Sequence, residues 1–365
     1  MKKVILCIGA ILAFNSSAYA LGTTANTQID NSATLSYSAG GVAQPEVTSN
    51  TDSFVVDKKI DMVLTTTDSD QIEVTPGQQD RITNYAFKNE GNSNEYFKFE
   101  VSQLGNGAEA DYDTDKDNSD DLTNLEIKCE DNSGNTYDWA SDLIIKVAKD
   151  SNLTCQVRAD INSDANGGKD LDLMNIELKA TAYKDDKSAP EEETTGADNQ
   201  DTVDVVFADG ESVQNGATSG LGDTSNGKGD RAGDGIDVAR SGYIIKTPVL
   251  SVAKTSCVIS DPVNDTANPK RIPGAVIRYM FDIENSGSAN VTDLNITDTL
   301  NDNFDLTNTK SSAKKDEDKD SCTCSTEPET DISSDTTVDG QKVSIAKINT
   351  SSSKHTCVSI EAEIK

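Results

Sequence analysis

Alternating apolar and polar residues, interrupted at short intervals by polar turns, run through most of the chain. The apolar runs are four to nine residues long, which is typical of short antiparallel strands. Strands are predicted at 97–101, 125–129, 143–147, 153–159, 174–182, 202–207 and 356–364. This pattern predicts an all-β fold of the sandwich type.

One unit of strand, Pro-Gly turn, strand and Asn-x-Gly turn occurs twice in the chain. The first copy contains Pro76-Gly77, Tyr85-x-Phe87 and Asn89-x-Gly91, and the second contains Pro273-Gly274, Tyr279-x-Phe281 and Asn285-x-Gly287. A unit that recurs in this way indicates a domain that is used twice. We therefore predict two related β-sandwich domains.

Composition sets the expected boundaries of these domains. The first is predicted at 57–207 and the second at 242–365. Between them, 208–241 is rich in glycine, serine and aspartate and cannot bury enough apolar surface to offset its ordering entropy, so a linker or loop is expected. The charged segments 185–200 and 311–320 are predicted as a hairpin tip and a loop.

The segment 21–56 precedes the first domain and begins with the cleanest alternation in the chain. Its apolar positions are Ile29, Ala33, Leu35, Tyr37 and Ala39. They predict one long amphipathic strand that ends at Gly40-Gly41 and is followed by a loop at 45–50. Such a strand is a candidate donor to an exposed sheet edge of a neighbouring copy. The alternative is a strand folded onto its own first domain, and the alternation does not distinguish the two because both bury the same face.

Residues 1–20 have the layout of a secretory signal peptide. Lys2-Lys3 is followed by an apolar run at 4–14 and by Ala18-Tyr19-Ala20, a small-x-small cleavage site. No later segment has the roughly 20 apolar residues that span a bilayer. No anchor or lipidation motif follows Ile364. We expect a secreted protein, extracellular or held at the cell surface, without membrane insertion.

The charge of the chain excludes one class of partner. Its formal net charge is −31, and cleavage of the leader removes two lysines and no acidic residue, which gives −33. Because phosphate backbones would be repelled, nucleic acid is not expected as a partner. The same charge keeps the protein soluble and attracts cations.

Six cysteines remain after removal of the leader, which favours disulfides in an exported chain. Two fall in the first predicted domain and four in the second: Cys129 and Cys155, then Cys257, Cys322, Cys324 and Cys357. The first two are expected to pair. Cys322 and Cys324 are too close to pair with each other without strain, so Cys257 is expected to take one and Cys357 the other. A zinc site formed by Cys322, Cys324, His355 and Cys357 is the alternative.

Two acidic loops have the ligand spacing of a calcium-binding loop. The first contains Asp113, Asp115, Asp117 and Asp121, and the second contains Asn162, Asp164, Asn166 and Asp170. The first lacks the usual turn glycine and the final glutamate, whereas the second has Gly167. Calcium is therefore the candidate cofactor, and a solvated acidic loop is the alternative.

Three segments resemble a known family of bacterial surface proteins. They are IDNSATLSY at 29–37, VTPGQ at 74–78 and NPKRIPGAVIRY at 268–279. These segments resemble the conserved-repeat domain, a domain of unknown function found in exported proteins of Gram-negative bacteria. The resemblance extends over most of 25–310 and implies immunoglobulin-like sandwiches and an extracellular location. The second repeat is shorter than usual and has additional cysteines, and no catalytic residues are implied.

The residue types present argue against catalysis. The chain has one histidine, one tryptophan (Trp139) and 5% aromatic residues, and it lacks a serine elbow and a glycine-rich phosphate loop. We expect a non-enzymatic structural protein that assembles with copies of itself as a filament, pilus-like fibre or layer, with other surface proteins as further candidate partners. The alternative is a secreted adhesin or calcium-stiffened binding module.

Overall fold

The computed structural model describes residues 22–104, 121–163, 170–185, 189–194, 202–210 and 231–365. In these ranges the regular elements are β-strands apart from one turn of 3₁₀ helix at Ser333–Asp335. Six of the seven predicted strands lie within observed strands, and the strand predicted at 202–207 begins at Val205. The prediction of an all-β sandwich fold is confirmed.

The N-terminal segment forms a long β-hairpin instead of the single predicted strand. Its strands are β1 (Gln28–Asn31), β2 (Thr34–Leu35), β3 (Ser38–Ala39), β4 (Val42–Ala43), β5 (Val47–Thr48) and β6 (Asp52–Val55). β1 pairs with β6, β2 with β5 and β3 with β4, all antiparallel. Gly40 and Gly41 form the tip with φ of +58° and +86°, a backbone conformation that favours glycine. The predicted loop at 45–50 is therefore part of the second arm.

The first domain is a sandwich of two five-stranded sheets. Its strands are β7 (Lys58–Ile60), β8 (Met62–Thr66), β9 (Ile72–Val74), β10 (Arg81–Asn89), β11 (Glu95–Leu104), β12 (Leu122–Asp131), β13 (Thr136–Ala140), β14 (Asp142–Val147), β15 (Asn152–Ile161), β16 (Leu173–Tyr183), β17 (Val205–Phe207) and β18 (Ile236–Ile245). The strand orders are β13-β12-β15-β10-β8 and β14-β11-β16-β18-β9, with β7 and β17 as a separate parallel pair. Between the sheets, Phe87 packs edge-on against Phe97 and Phe99, with ring centroids 4.7 and 5.0 Å apart.

The second domain pairs a similar sheet with a smaller one. Its strands are β19 (Leu250–Ser260), β20 (Val276–Asn285), β21 (Val291–Thr299), β22 (Phe304–Asp305), β23 (Lys314–Lys319), β24 (Thr330–Asp331), β25 (Thr336–Asp339), β26 (Lys342–Thr350) and β27 (Lys354–Ile364). One sheet has the order β19-β20-β27-β23-β24, with β22 also paired to β27, and the other has the order β21-β26-β25.

The repeated sequence unit corresponds to repeated structure. The sheet order β8-β10-β15-β12-β13 recurs as β19-β20-β27-β23-β24. In both domains the Pro-Gly glycine has positive φ and donates its N–H to the end of the central strand, Gly77 to Ile161 O at 3.1 Å and Gly274 to Ile364 O at 2.7 Å. When the two domains are aligned on their Asn-x-Gly turns, β8, β10, β15, β12 and β13 correspond to β19, β20, β27, β23 and β24.

Two assignments predicted from composition are wrong, one domain boundary and one loop. Residues 236–245, assigned to the linker and the second domain, form β18 in the first domain, where Tyr243 and Ile245 are fully buried. Buried Asp237 and Arg240 interrupt its apolar pattern and hide the strand in the sequence. The predicted charged loop at 311–320 contains β23, whose lysines are offset by neighbouring acids, for example Lys315 with Glu317 at 2.6 Å.

Candidate functional site

The N-terminal hairpin exposes apolar side chains on both of its arms. Of the predicted donor residues, Ile29 is half-buried, whereas Ala33, Leu35, Tyr37 and Ala39 are exposed. Leu35 is 62% exposed and lies directly opposite Val47 on the second arm, which is 52% exposed. A two-stranded hairpin alone is marginally stable in water. The hairpin therefore presents apolar surface that a contact with another surface would bury.

Among the described residues, the hydrogen bonds between the hairpin and the first domain are at the base of the hairpin. The N–H of Asn26 donates to Val56 O at 2.8 Å, and the N–H of Ala25 donates to Asn92 O at 3.2 Å. Lys149 also reaches the backbone of Gly22 from the loop after β14. The strand partners of the first arm belong to the second arm and not to the sandwich sheets. The first arm is therefore not a strand folded onto its own first domain, which was the alternative prediction.

The second arm contributes apolar residues that the sequence analysis did not select. Val42 is 65% exposed, Val47 lies opposite Leu35, and Phe54 is exposed beside the base. Pro45 and Asn50 interrupt the alternation of this arm and give it the composition of a loop. The Gly40-Gly41 pair followed by Val42 was the available signal, because glycine pairs between apolar runs are typical of hairpin turns.

At one end of each domain, the asparagine of the Asn-x-Gly motif forms hydrogen bonds to the backbone of neighbouring loops. Asn89 is fully buried and donates to Ser93 O and Val147 O at 3.0 and 3.1 Å, while its Oδ1 accepts from the N–H of Gly91 at 3.0 Å. Asn285 is also fully buried and makes the corresponding bonds in the second domain. These motifs satisfy buried backbone groups, so their role is structural.

Asp170 fixes the junction between the two domains. Its carboxylate accepts hydrogen bonds from the backbone N–H of Thr247 at 2.9 Å and of Ser288 at 2.8 Å, and from the Ser288 hydroxyl. Burial opposes ionisation of Asp170, but the bonds from Ser288 and Thr247 outweigh it and lower the pKa of this carboxyl. The contact ties the loop before β16 to the Asn-x-Gly end of the second domain.

Replacing Asp170 with alanine is expected to loosen the junction without unfolding either domain. Because a lowered pKa makes the ionised form the stabilising one, the wild-type contact should persist at neutral pH and weaken only as the pH falls below about 4. Limited proteolysis at 246–249 measures this, with faster cleavage expected for D170A. The control is E193A, at an exposed residue. Equal cleavage rates for the two variants would show that Asp170 does not stabilise the junction.

The calcium prediction lies largely outside the described residues. Asp113, Asp115, Asp117, Asp164 and Asn166 are in that undescribed part. The described ends of the two loops are adjacent, since the N–H of Asn162 donates to Asp121 O at 2.9 Å. Asp170 does not extend this set, because its carboxylate is bonded at the junction. Within the described ranges no group of three potential ligands has a metal-binding arrangement; calcium binding stays a prediction.

The cysteines form three disulfides in the structure. Cys129 pairs with Cys155, Cys257 with Cys324, and Cys322 with Cys357. The disulfide prediction is confirmed, and the pairing that it left open in the second domain is resolved.

The alternative zinc site is excluded by this pairing, because three of its four proposed ligands are in disulfides. The fourth, His355, has its Nδ1 2.6 Å from Asp282 Oδ1.

No protein-family model and no curated protein matches the sequence. Solved structures show distant likenesses. The collagen-binding domain of the surface protein RspB from Erysipelothrix rhusiopathiae is 12% identical, with 83% of this chain and 82% of that chain covered and a TM-score of 0.21. The major pilin subunit BcpA of Bacillus cereus is 10% identical, with coverage of 74% and 69% and a TM-score of 0.22.

A family 123 glycoside hydrolase from Clostridium perfringens is 10% identical, with a TM-score of 0.23. The match covers 42% of this chain and 27% of the hydrolase, so it spans about a quarter of that enzyme. Scores at this level do not assign the chain to any of these protein classes. Separately, the described part of the chain contains no helix that is long and apolar enough to cross a membrane.

Proposed function

We propose that this protein is a non-enzymatic, extracellular structural protein that assembles with copies of itself through its N-terminal hairpin. The observation that carries the proposal is the exposure of apolar residues along both arms of a hairpin that, among the described residues, is bonded to the first domain at its base. The predicted signal peptide and the three disulfides support an extracellular location.

Burial of the apolar residues of the hairpin would supply free energy for association. Full burial of a leucine or valine side chain stabilises by about 1.5 to 3 kcal/mol. Leu35, Tyr37, Val42 and Val47 together offer several such contributions, and strand addition would supply backbone hydrogen bonds. These gains have to exceed the entropy lost on association.

The distal part of the hairpin, beyond Asp30 and Asp52 near its base, carries little charge. Between residues 31 and 51 the only residue that is charged at pH 7 is Glu46, whereas the whole chain has a net charge of −31. Two copies repel each other at long range, and this repulsion is screened beyond about 8 Å at physiological salt. The distal part of the hairpin therefore adds little to this repulsion when it approaches another copy.

A charged substitution on the apolar positions of the hairpin is expected to block assembly. The L35D variant should remain monomeric at concentrations where the wild-type mature chain forms large species, because docking would bury an unpaired carboxylate. Thr34 is the matched control: it is the adjacent exposed residue and pairs with Thr48, so T34D adds the same charge beside the apolar positions. Sedimentation velocity, with and without calcium, measures both variants.

Folding of each variant is checked by far-UV circular dichroism, so that loss of assembly is separated from loss of structure. Wild-type protein that sediments as a monomer at every concentration would contradict the proposal. Saturable binding of a ligand by such a monomer would favour a binding module. L35D that assembles like T34D would show that the hairpin is not the contact.

A further inference from the structure

In the described part of the second domain, the smaller sheet has no counterparts of β16 and β18, two strands of the first domain. In the alignment of the two domains, β11 corresponds to β21 and β14 to β26. In the first domain β11 pairs on its other side with β16, and β16 pairs with β18. Among the residues that the structure describes, no strand of the second domain takes the place of β16 or β18, and β21 pairs only with β26.

This difference uncovers apolar residues of the second domain. Met62 and Leu64 on β8 are each 1% exposed, and Leu64 N donates to Asp237 Oδ2 of β18 at 2.6 Å. Asn89 pairs with Met62 in the first domain, and the equivalent Asn285 pairs with Leu250 in the second. Leu250 is therefore the counterpart of Met62, and Val252, two residues further along β19, is the counterpart of Leu64.

The counterparts are far more accessible to solvent. Leu250 is 43% exposed and Val252 is 65% exposed. The open side of the second domain thus combines an unpaired strand edge, β21, with apolar residues on β19 that the first domain keeps covered. At one end of this side Lys254 of β19 forms an ion pair with Asp298 of β21 at 2.5 Å, so the uncovered part lies around Leu250 and Val252. We call this surface the β19/β21 gap.

We propose that the hairpin of a second copy occupies the β19/β21 gap, adding to the free edge of β21 and covering Leu250 and Val252. This inference rests on the proposed self-assembly and names its acceptor surface. Strand addition to an exposed edge satisfies the unpaired backbone groups of that edge, and the apolar side chains supply the contact beneath it.

The first domain indicates what kind of element fits the gap. There the corresponding space is filled by β16 and β18, two antiparallel strands. The hairpin likewise consists of two antiparallel arms, β1 to β3 and β4 to β6, with exposed apolar residues. From residue 28 to the tip, 14 residues at about 3.3 Å each extend about 45 Å, and the nine residues of β21 extend about 30 Å. The hairpin is long enough to lie along the whole of β21.

The place of attachment points to another copy as the source of the hairpin. The chain's own hairpin would have to fold back along the whole first domain to reach the gap, whereas in the structure its strands pair only with each other. Its base contacts Val56 and Asn92, beside the Asn-x-Gly end of the first domain. The second domain is joined at the opposite end, where Asp170 binds Thr247 and Ser288. β10, from Arg81 to Asn89, runs about 30 Å between these two ends. A hairpin at one end and a gap beyond the other give a head-to-tail contact, which can propagate into a fibre.

The test uses the full mature chain with one surface altered at a time. V252K places a charge in the gap at an exposed position, and we expect the concentration needed for assembly to rise at least about tenfold. Val263 is 76% exposed on the loop after β19, so V263K is the matched control and should assemble like wild type. Intact folding of V252K is checked by circular dichroism.

Mixing the two defective variants identifies the pair of surfaces directly. L35D has an altered hairpin and an intact gap, and V252K has an intact hairpin and an altered gap. At a concentration where wild type assembles and neither variant does so alone, an equimolar mixture should form a one-to-one dimer that does not grow. Amide hydrogen exchange at 291–299 should slow in that dimer, specifically in the L35D copy, whose gap is filled.

Each other outcome overturns the inference in a recognisable way. If L35D blocks assembly but V252K does not, the hairpin docks elsewhere: the acceptor is wrong and the proposed function stands. The same conclusion follows if the mixture stays monomeric or if 291–299 exchanges as in the free protein. If the wild-type chain itself never assembles, the proposed function and this inference fail together.

Discussion

Replacing Asn285 with alanine should destabilise the second domain by about 3 to 5 kcal/mol and leave the first domain folded. The side chain accepts from the N–H groups of Val249 and Gly287, both at 3.2 Å, and donates to Ala289 O at 2.7 Å and Ser351 O at 3.3 Å. Alanine leaves all four backbone groups without this partner. Each unsatisfied buried group costs about 1 to 3 kcal/mol, less where water can replace the bond.

The two domains can be followed separately in one urea titration. Trp139 is the only tryptophan and lies on β13 of the first domain, 4.7 Å from the Arg158 guanidinium. Its fluorescence therefore reports the first domain, whereas far-UV circular dichroism reports both. For N285A we expect an early transition in circular dichroism that fluorescence does not follow. N308A, at an exposed asparagine of the same domain, should behave like wild type.

Gly287 supports the same expectation by a different route. A Cβ at this position would lie 2.3 Å from Thr247 O and 2.4 Å from Val249 N, which are backbone atoms of the segment that leads into β19, so this segment would have to shift. G287A should therefore be destabilised in the same selective way as N285A. A single transition shared by both signals, or a loss under 1 kcal/mol for both variants, would contradict a fastening role for this motif.

Mild reduction should unfold the second domain while the first remains folded. The disulfides Cys257–Cys324 and Cys322–Cys357 span 67 and 35 residues, and closing loops of this length is worth about 4 kcal/mol each in the chain-entropy model. The second domain is more dependent on them because its smaller sheet has three strands where the first domain has five.

Accessibility favours the same order of reduction. Cys129 and Cys155 are fully buried, whereas Cys257, Cys322 and Cys324 are partly exposed. After brief treatment with a thiol reductant and alkylation, mass spectrometry should find label on the second-domain cysteines first. Trp139 fluorescence should be unchanged at that stage. Simultaneous labelling of Cys129 and Cys155 with loss of the Trp139 signal would show that the domains do not unfold independently.

The strands were predictable from sequence where alternation reflects local burial. β15 alternates almost strictly between exposed and buried positions, and its prediction from 153 to 159 lies inside the observed strand. β18 was missed because its buried charges have partners far away in sequence: Arg240 pairs with Glu177 at 2.9 Å, and Asp237 accepts from Leu64 N. Such pairings allow a segment with charged residues to be buried in a core. They cannot be predicted from the residues next to them in the sequence.

The candidate site was predictable in part. The first arm of the hairpin was selected by its alternation, but its partner arm was read as a loop because Pro45 and Asn50 interrupt it. Asp170 was assigned to a calcium loop from spacing alone, whereas its carboxylate binds two backbone N–H groups at the junction. The β19/β21 gap exists because no described strand covers Leu250 and Val252. The pattern of residues along the chain does not show whether a strand will be covered by another.

Negative-stain electron microscopy of the purified mature chain, over a range of concentrations and with and without calcium, tests the central claim most directly. Self-assembly through the hairpin predicts ordered filaments for the wild-type chain and for T34D, and isolated particles for L35D. Uniform monomers of the wild-type chain under every condition, or filaments of L35D that match those of wild type, would contradict it.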